Sequence, residues 1–435
     1  MSGRDVSDAS QDSWIEGRWR ICLSVIVVAA LVLRIGAAGW VEHRVEENGT
    51  RFLIEGDANG YWHLAEAIAN GDDYSIHQPP RRVLRVPGFP LLLAAVIRVF
   101  GSSLWAARVV LAGAGAGCCW LTYLLGSQLS NRRTGLIAAA FVAIHPFHVG
   151  MSVLILSETW FTFWMLASLV ALARLIGTCG EKNKDSTASS FESSPAQATF
   201  PMILRATLAG ALLACAVLIR PGFILWLVPV VAAIVWFVRS SLFVRALYAL
   251  TLVCAFGLTM LPWVIRNHNV THHWVMTSLW SGPSLYDGLN PNADGTSDMT
   301  FFDKENVLAT MSEYDMNAHY QQKAIDFVKD NPGRTLQLAA LKAARFLQPA
   351  PSTPPTTWAL WVLCTFFYAL FFGLCVRSVW NYHVDIRGVL ICVGPFLLFL
   401  VVHMVFVGSL RYRLPTEFPL AIVAAAGLQG GLRKR

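Results

Sequence analysis

Charge is what this sequence has least of. Only 14% of its 435 residues are Asp, Glu, Lys or Arg, against 55% hydrophobic, and the mean hydropathy is +0.50. That balance excludes an ordinary soluble globular domain and indicates a chain that crosses a membrane several times. A cysteine framework is missing too. Of nine cysteines, Cys22, Cys118, Cys119, Cys215, Cys254, Cys364, Cys375 and Cys392 fall in or beside apolar runs and only Cys179 in a polar segment. These are neither disulfide nor zinc spacings. There is no internal repeat and no basic block. The formal charge is +7, but Lys and Arg are scattered between apolar runs, which suits membrane orientation and excludes nucleic-acid binding. Residues 1–17 have no apolar centre and read as a disordered cytoplasmic tail, with the next apolar run kept as the first span.

What is present is a series of runs long enough to span a bilayer, which takes roughly 20 apolar residues. About ten are expected, near 21–40, 104–125, 135–151, 152–176, 203–219, 221–238, 243–265, 357–378, 388–408 and 413–430. The run 89–100 is too short and carries Arg98, so it reads as a juxtamembrane helix. With that run uncounted, Arg18 and Arg20, Arg132-Arg133, residues 177–202, Arg239 to Arg245, Arg377 to Arg387 and Arg433-Lys434-Arg435 all fall on one side, as the positive-inside rule asks of a cytoplasmic face. The expected divisions are a tail (1–20), an N-terminal membrane module (21–266) with external loop 41–103 and cytoplasmic linker 177–202, an external loop domain (267–356), and C-terminal spans with a short tail (357–435). In the external domain the residues predict a helix near 314–329. A second starts at Pro332 and carries Leu336, Ala340, Ala343, Phe346 and Leu347 as an apolar stripe, with Arg334, Lys342 and Arg345 elsewhere, which suits a helix lying on the membrane surface.

The external side collects the polar residues. Asp57 precedes a helical run of Tyr61, Leu64, Ala65, Ile68 and Ala69 that Asn70-Gly71 should stop, so its plainest role is an N-cap. The same loop then carries Arg81, Arg82 and Arg85, leading to Pro87-Gly88-Phe89-Pro90. Glu158 begins a span, where a carboxylate at mid-bilayer depth would cost about 2.5–3.5 kcal/mol. It either reaches water from a helix N-terminus or faces a polar cavity. Arg220, Arg266, Arg411 and Arg413 can each be read as snorkelling arginines. Together they are too many cations for an external face, and they suit an anionic phosphate. His268 and His272 have a spacing that could hold a metal on a helix, but Val270 and Thr271 argue against a helix there. Asn48-Gly49-Thr50 and Asn269-Val270-Thr271 match the glycosylation acceptor pattern, a short one.

In order and spacing, Asp57 with Tyr61, Ala65, Gly71 and Tyr74, then Arg85-Val86-Pro87-Gly88-Phe89-Pro90-Leu91, resemble the first external loop of polytopic glycosyltransferases that use polyprenyl-phosphate sugars. These are the protein mannosyltransferases and lipid A aminoarabinose transferases of the GT-C fold class. The likeness continues through Leu156-Ser157-Glu158, Arg220-Pro221, Pro262 to Asn267, Tyr320 to Pro332, and Arg411-Tyr412-Arg413-Leu414-Pro415. It implies an all-α, multi-pass membrane protein of a bacterial inner membrane, its site facing outward. It would move a sugar, with inversion, from a polyprenyl-phosphate carrier to a lipid, glycan or protein acceptor. In that scheme Asp57 is the base and Glu158 orients the acceptor or holds a divalent ion. Arg85, Arg220, Arg411 and Arg413 bind the donor phosphate, and Tyr61, Tyr74, Arg266, Asn267 and Tyr412 line the acceptor or sugar pocket. No cofactor other than that optional ion is implied. Protein mannosyltransferases begin this loop with an Asp-Glu pair, whereas here Ala58 follows Asp57, so neither mannose nor a protein acceptor is implied. The competing expectation is a transporter or flippase for a lipid-linked anion, which would place its binding groups near mid-membrane in two related halves.

Overall fold

The structure, a computed structural model, describes residues 4–177, 195–350, 357–381 and 383–429. Expectations for most of the 177–202 linker, for Cys179 and for Arg433-Lys434-Arg435 fall outside these residues. The described chain is helical, with no strand beyond one isolated bridge between Ile76 and Arg81. Its first half comprises α1 (Arg4–Asn48), α2 (Glu55–Asn70), α3 (Gly88–Phe100), α4 (Leu104–Leu129), α5 (Arg132–Ile144), α6 (Pro146–Met151), α7 (Glu158–Gly177) and α8 (Pro195–Val217). After a 3-10 turn at Pro221–Trp226 come α9 (Leu227–Phe237) and α10 (Leu242–Thr271). A unit of shorter helices follows: α11 (Ser281–Gly288), α12 (Thr300–Glu305), α13 (Val307–Thr310), α14 (Glu313–Asp330) and α15 (Pro332–Leu347). Last are α16 (Trp358–Trp380), α17 (Ile386–Val405) and α18 (Leu410–Gln429).

Seven helices among the described residues are long and apolar enough to cross a membrane: α1 from Gly17, α4, α7, α8 from Phe200, α10, α16 and α17. The expected ten shrink for local reasons. Pro146 splits the run 135–151 into α5 and the six-residue α6, and the Val153–Leu156 stretch that reads as helix is buried but irregular. Pro221 likewise spends the start of the 221–238 run on a 3-10 turn, leaving eleven residues for α9. The helix expected as the last span, α18, is less apolar and enclosed along almost its whole length, with Arg413 and Glu417 inside. At the other end of the chain, α1 begins at Arg4, within the tail expected to be disordered.

Small residues let the bundle close. On α4, Ala107, Ala112, Gly115, Ala116, Cys118 and Cys119 are buried against α1, α5 and α7, the small-residue packing that replaces hydrophobic drive within a membrane. The outside of the bundle is the reverse. Leu363, Phe366 and Leu370 of α16 are exposed, and Trp358 and Trp380 stand exposed at its two ends, as interfacial aromatics do.

The α11–α15 unit is built jointly with α2 and the chain between α2 and α3. Leu64, Ile76 and Leu84 share one apolar core with Phe302, Val307, Met316 and Tyr320. Glu313 accepts hydrogen bonds from the backbone N–H groups of Arg82 (2.9 Å) and Val83 (2.7 Å), and Val83 in turn accepts from Leu279 N–H at 2.9 Å. Helices α14 and α15 fall where the sequence places them, and much of the expected apolar stripe of α15 is exposed, as a face that lies on a membrane would be. Leu338, Lys342 and Phe346 are buried, while Leu336 is 73% exposed and Leu347 42%. Lys342 can be buried because its ammonium donates to the carbonyls of Gly288 (2.9 Å) and Val405 (2.7 Å), fastening α15 to the link between α17 and α18.

Candidate active site

Three helix termini meet at the edge of this unit: the start of α7 with Glu158, the end of α8 with Arg220 just beyond it, and the start of α18 with Arg411. The loop that carries Arg85 is brought to them by Gly88. Its N–H donates to the Leu218 carbonyl at 2.8 Å, and a Cβ at position 88 would lie 2.6 Å from that oxygen. Only glycine allows the two backbones to come so close. Tyr74 braces the same loop from behind, donating its hydroxyl to the carbonyls of Arg85 (3.1 Å) and Val86 (3.3 Å). Burial raises the Tyr74 phenol well above its ordinary range despite Arg266 nearby, so it remains a donor at any physiological pH.

At the junction the side chains form one alternating chain of charge. Arg85 Nη2 donates to Asp57 Oδ1 at 2.9 Å, and Arg411 Nη2 donates to Asp57 Oδ2 at 2.9 Å. Arg411 Nε then donates to Glu158 Oε1, which also accepts from Arg220 Nη2 at 3.3 Å. Tyr61 lies under the Arg85 guanidinium at 4.5 Å and Tyr412 under that of Arg220 at 4.9 Å. Two polar atoms here are buried without a partner, Glu158 Oε2 and Arg220 Nη1.

Asp57 is not an N-cap. Helix α2 starts two residues earlier with Ile54 in the capping position and a kink at Gly56, and both Asp57 carboxylate oxygens face guanidiniums. Its end is as expected, with Gly71 in the left-handed region at φ 82° and its N–H on the last carbonyls. Burial alone would push the Asp57 carboxyl up. The charges and hydrogen bonds of Arg85 and Arg411 outweigh that and hold it down at about 2.

Of the eleven residues expected at the site, Asp57, Glu158, Arg85, Arg220, Arg411, Tyr61 and Tyr412 come together. Four do not. Tyr74, Arg266 and Asn267 are braces. Arg266 stacks on Tyr74 and Trp263 while donating to the carbonyls of Arg82 (2.6 Å) and Tyr74 (3.2 Å), and buried Asn267 donates to that of Val275 at 3.0 Å. Arg413 belongs to a different network, because two residues on one helix differ by about 200° in direction and cannot share a face. Fully buried, it pairs with Glu417 at 2.6 Å, donates to the carbonyls of Phe346 and Gln348 (both 3.0 Å) and lies 4.3 Å from the Tyr368 ring.

Glu417 Oε2 is shared by His148 Nε2 (3.1 Å) and the Tyr368 hydroxyl (3.2 Å). His145, His148 and Glu417 offer ligand atoms within 4.8 Å of one another, the group of this kind among the described residues. Arg413 pairs with the other oxygen of the same carboxylate, so any ion here would share Glu417 with that guanidinium. Glu158 carries two guanidiniums on Oε1 and leaves Oε2 without a partner. The His268/His272 pair is a different case. Helix α10 does continue to Thr271, contrary to expectation, but His272 leaves it in the left-handed conformation and His268 stacks on Trp274 at 4.1 Å. The Glu417 network escaped the sequence reading. Its signal was the i, i+4 spacing of Arg413 and Glu417 inside an apolar run, where an ionisable residue needs a partner.

Residues 79–184 match the sequence profile of the family described as dolichyl-phosphate-mannose-protein mannosyltransferase. Over 218 residues the chain is 29% identical to the undecaprenyl phosphate-alpha-4-amino-4-deoxy-L-arabinose arabinosyl transferase of Pseudomonas aeruginosa strain LESB58, a match covering 49% of this chain and 36% of that protein. The chain thus spans about a third of the length of that relative. Among solved structures, the apo oligosaccharyltransferase of Archaeoglobus fulgidus superposes with a TM-score of 0.58 at 15% identity, covering 96% of this chain and 51% of that one. The same enzyme with an inhibitory peptide and dolichol-phosphate gives 0.55 at 14%, covering 96% and 50%. The fold is therefore of the GT-C type, all-α and multi-pass, shared with glycosyltransferases.

Proposed function

We propose that this protein transfers a sugar from a polyprenyl-phosphate carrier to an acceptor at the outer face of the membrane, with inversion at the anomeric carbon. The observation that carries the reading is the charge of the junction. Three guanidiniums face two carboxylates, leaving one positive charge uncompensated on side chains that are partly exposed. A donor phosphodiester carries one negative charge and would neutralise it. Arg220 keeps Nη1 buried without a partner, an atom that a phosphate oxygen would satisfy on entering, and Arg85 and Arg411 offer guanidiniums that the phosphate can share with Asp57.

Asp57, the more exposed of the two carboxylates, is the base. In the resting site its two arginines make it weakly basic. A phosphate drawing those arginines toward itself raises that basicity when the donor is in place. The acceptor oxygen then attacks the anomeric carbon while the bond to phosphate breaks, and the preorganised guanidiniums meet the charge growing on the leaving group. A flippase would need related halves and mid-membrane groups, whereas these groups lie at helix ends on one side. The test is mass spectrometry of lipids and surface glycans from cells with and without the gene. Accumulation of a polyprenyl-phosphate sugar with loss of one glycan decoration supports transfer, and unchanged glycans refute it.

A further inference from the structure

We infer that the site is matched to a single negative charge, so that the acceptor's proton is handed by Asp57 to the departing carrier phosphate and the carrier is released when it loses that proton. This rests on the proposed transfer and concerns the fate of its proton. The groups that face Asp57 are Arg85 from the first loop, Arg411 and Tyr412 from α18, Tyr61 from its own helix, and beyond Arg411 the Glu158 of α7 with Arg220. Among the described residues these make three fixed positive charges and two negative ones. With the donor bound the sum is zero. Cleavage would give the carrier a second charge, and the acceptor's proton restores the balance. The acceptor O–H bond breaks, its oxygen bonds to the anomeric carbon, the electron pair of the broken C–O bond stays on the phosphate, and the proton moves from Asp57 to a phosphate oxygen. A phosphate monoester's second pKa is about 6. Asp57, which its arginines hold at about 2 in the resting site, takes the acceptor's proton while the phosphate draws those arginines off, and gives it up to a phosphate oxygen as they return. Once the monoester ionises again, the site holds one negative charge too many.

The test is equilibrium binding of two lipids to the purified full chain in nanodiscs between pH 5 and 9. One is undecaprenyl phosphate, a monoester. The other is its methyl ester, a diester with one charge throughout that range. Wild type should bind the methyl ester with constant affinity and lose affinity for the monoester by about tenfold per pH unit above roughly pH 6. The 31P shift of bound monoester should stay at the monoanion position above that pH. Asp57→Asn, which raises the net charge of the site by one, should hold the dianion and flatten the decline. Glu158→Gln should do the same, and covers the case in which the first variant does not fold. Wild type that binds the monoester equally well across the range, or binds it as the dianion, overturns the inference while leaving the proposed transfer intact. Wild type that binds neither lipid overturns both.

Discussion

Arg411 and Arg413 differ by two positions and have opposite jobs. The Arg411 guanidinium touches both site carboxylates, so Arg411→Ala should weaken binding of undecaprenyl phosphate by about 1.5–3 kcal/mol, the range for a hydrogen bond to a charged group. Lys at 411 should restore only part, because an ammonium cannot hold two carboxylates with a planar fork. Arg413→Ala should leave lipid affinity in the folded fraction unchanged. It strands Glu417 in the bundle instead, and loss of one partner of a buried pair costs about 3–5 kcal/mol. Thermal unfolding in detergent beside lipid binding separates the two, and a large affinity loss in Arg413→Ala would show that it reaches the phosphate after all. Asp57 gives a sign to pH stability. Its folded pKa, about 2, lies below the ordinary aspartate value of 3.8. Its ion pairs therefore stabilise the fold above about pH 4, and that contribution is lost as pH falls toward 2. Between pH 5 and 8, Asp57→Asn should shift the unfolding temperature by an amount that does not vary with pH, and a pH-dependent shift there would contradict the assignment.

At the scale of elements, the turn into α3 sets the site, because the Gly88–Leu218 contact places Arg85 against Arg220's end of α8. Gly88→Ala should push the two backbones apart, lower the unfolding temperature and weaken undecaprenyl phosphate binding together. A variant that loses neither would show that the junction tolerates a Cβ. The elements themselves were largely legible. Gly71 stops α2, Pro332 starts α15, and Ser312 caps α14 by accepting from Asp315 N–H at 3.1 Å, all by local chemistry. What periodicity could not give was the burial of Lys342 on α15. Lys342 looks polar until the carbonyls of Gly288 and Val405, far away in sequence, take its charge. For the same reason Tyr74, Arg266 and Asn267 read as pocket residues. The family resemblance implies them there, but backbone carbonyls that only the folded chain brings together claim them.

For the whole molecule, the sequence makes one claim that concerns the membrane itself: charge alternation places the site outside. The structure gives this claim a geometry to test. Glu158, Arg220 and Arg411 sit at helix termini beside the α11–α15 unit, while Arg239 lies at the link between α9 and α10. If the positive-inside rule holds for this chain, Arg239 faces the cytoplasm and the unit faces out. Single cysteines in a cysteine-free background decide it, using exposed positions such as Asn292 in the unit and Arg239 in the link. Asn290, beside the first, is buried and would mislead. A membrane-impermeant maleimide on intact cells should label position 292 and spare 239 until the cells are opened. The reverse pattern would place the charge chain in the cytoplasm, and transfer at the outer face would fall with it. Labelling of both would mean that the chain inserts in two orientations, an outcome that the alternation of its arginines argues against. The phosphate reading survives any of these results, because it depends on the spacing of guanidiniums and carboxylates alone; the face on which the acceptor is met does not.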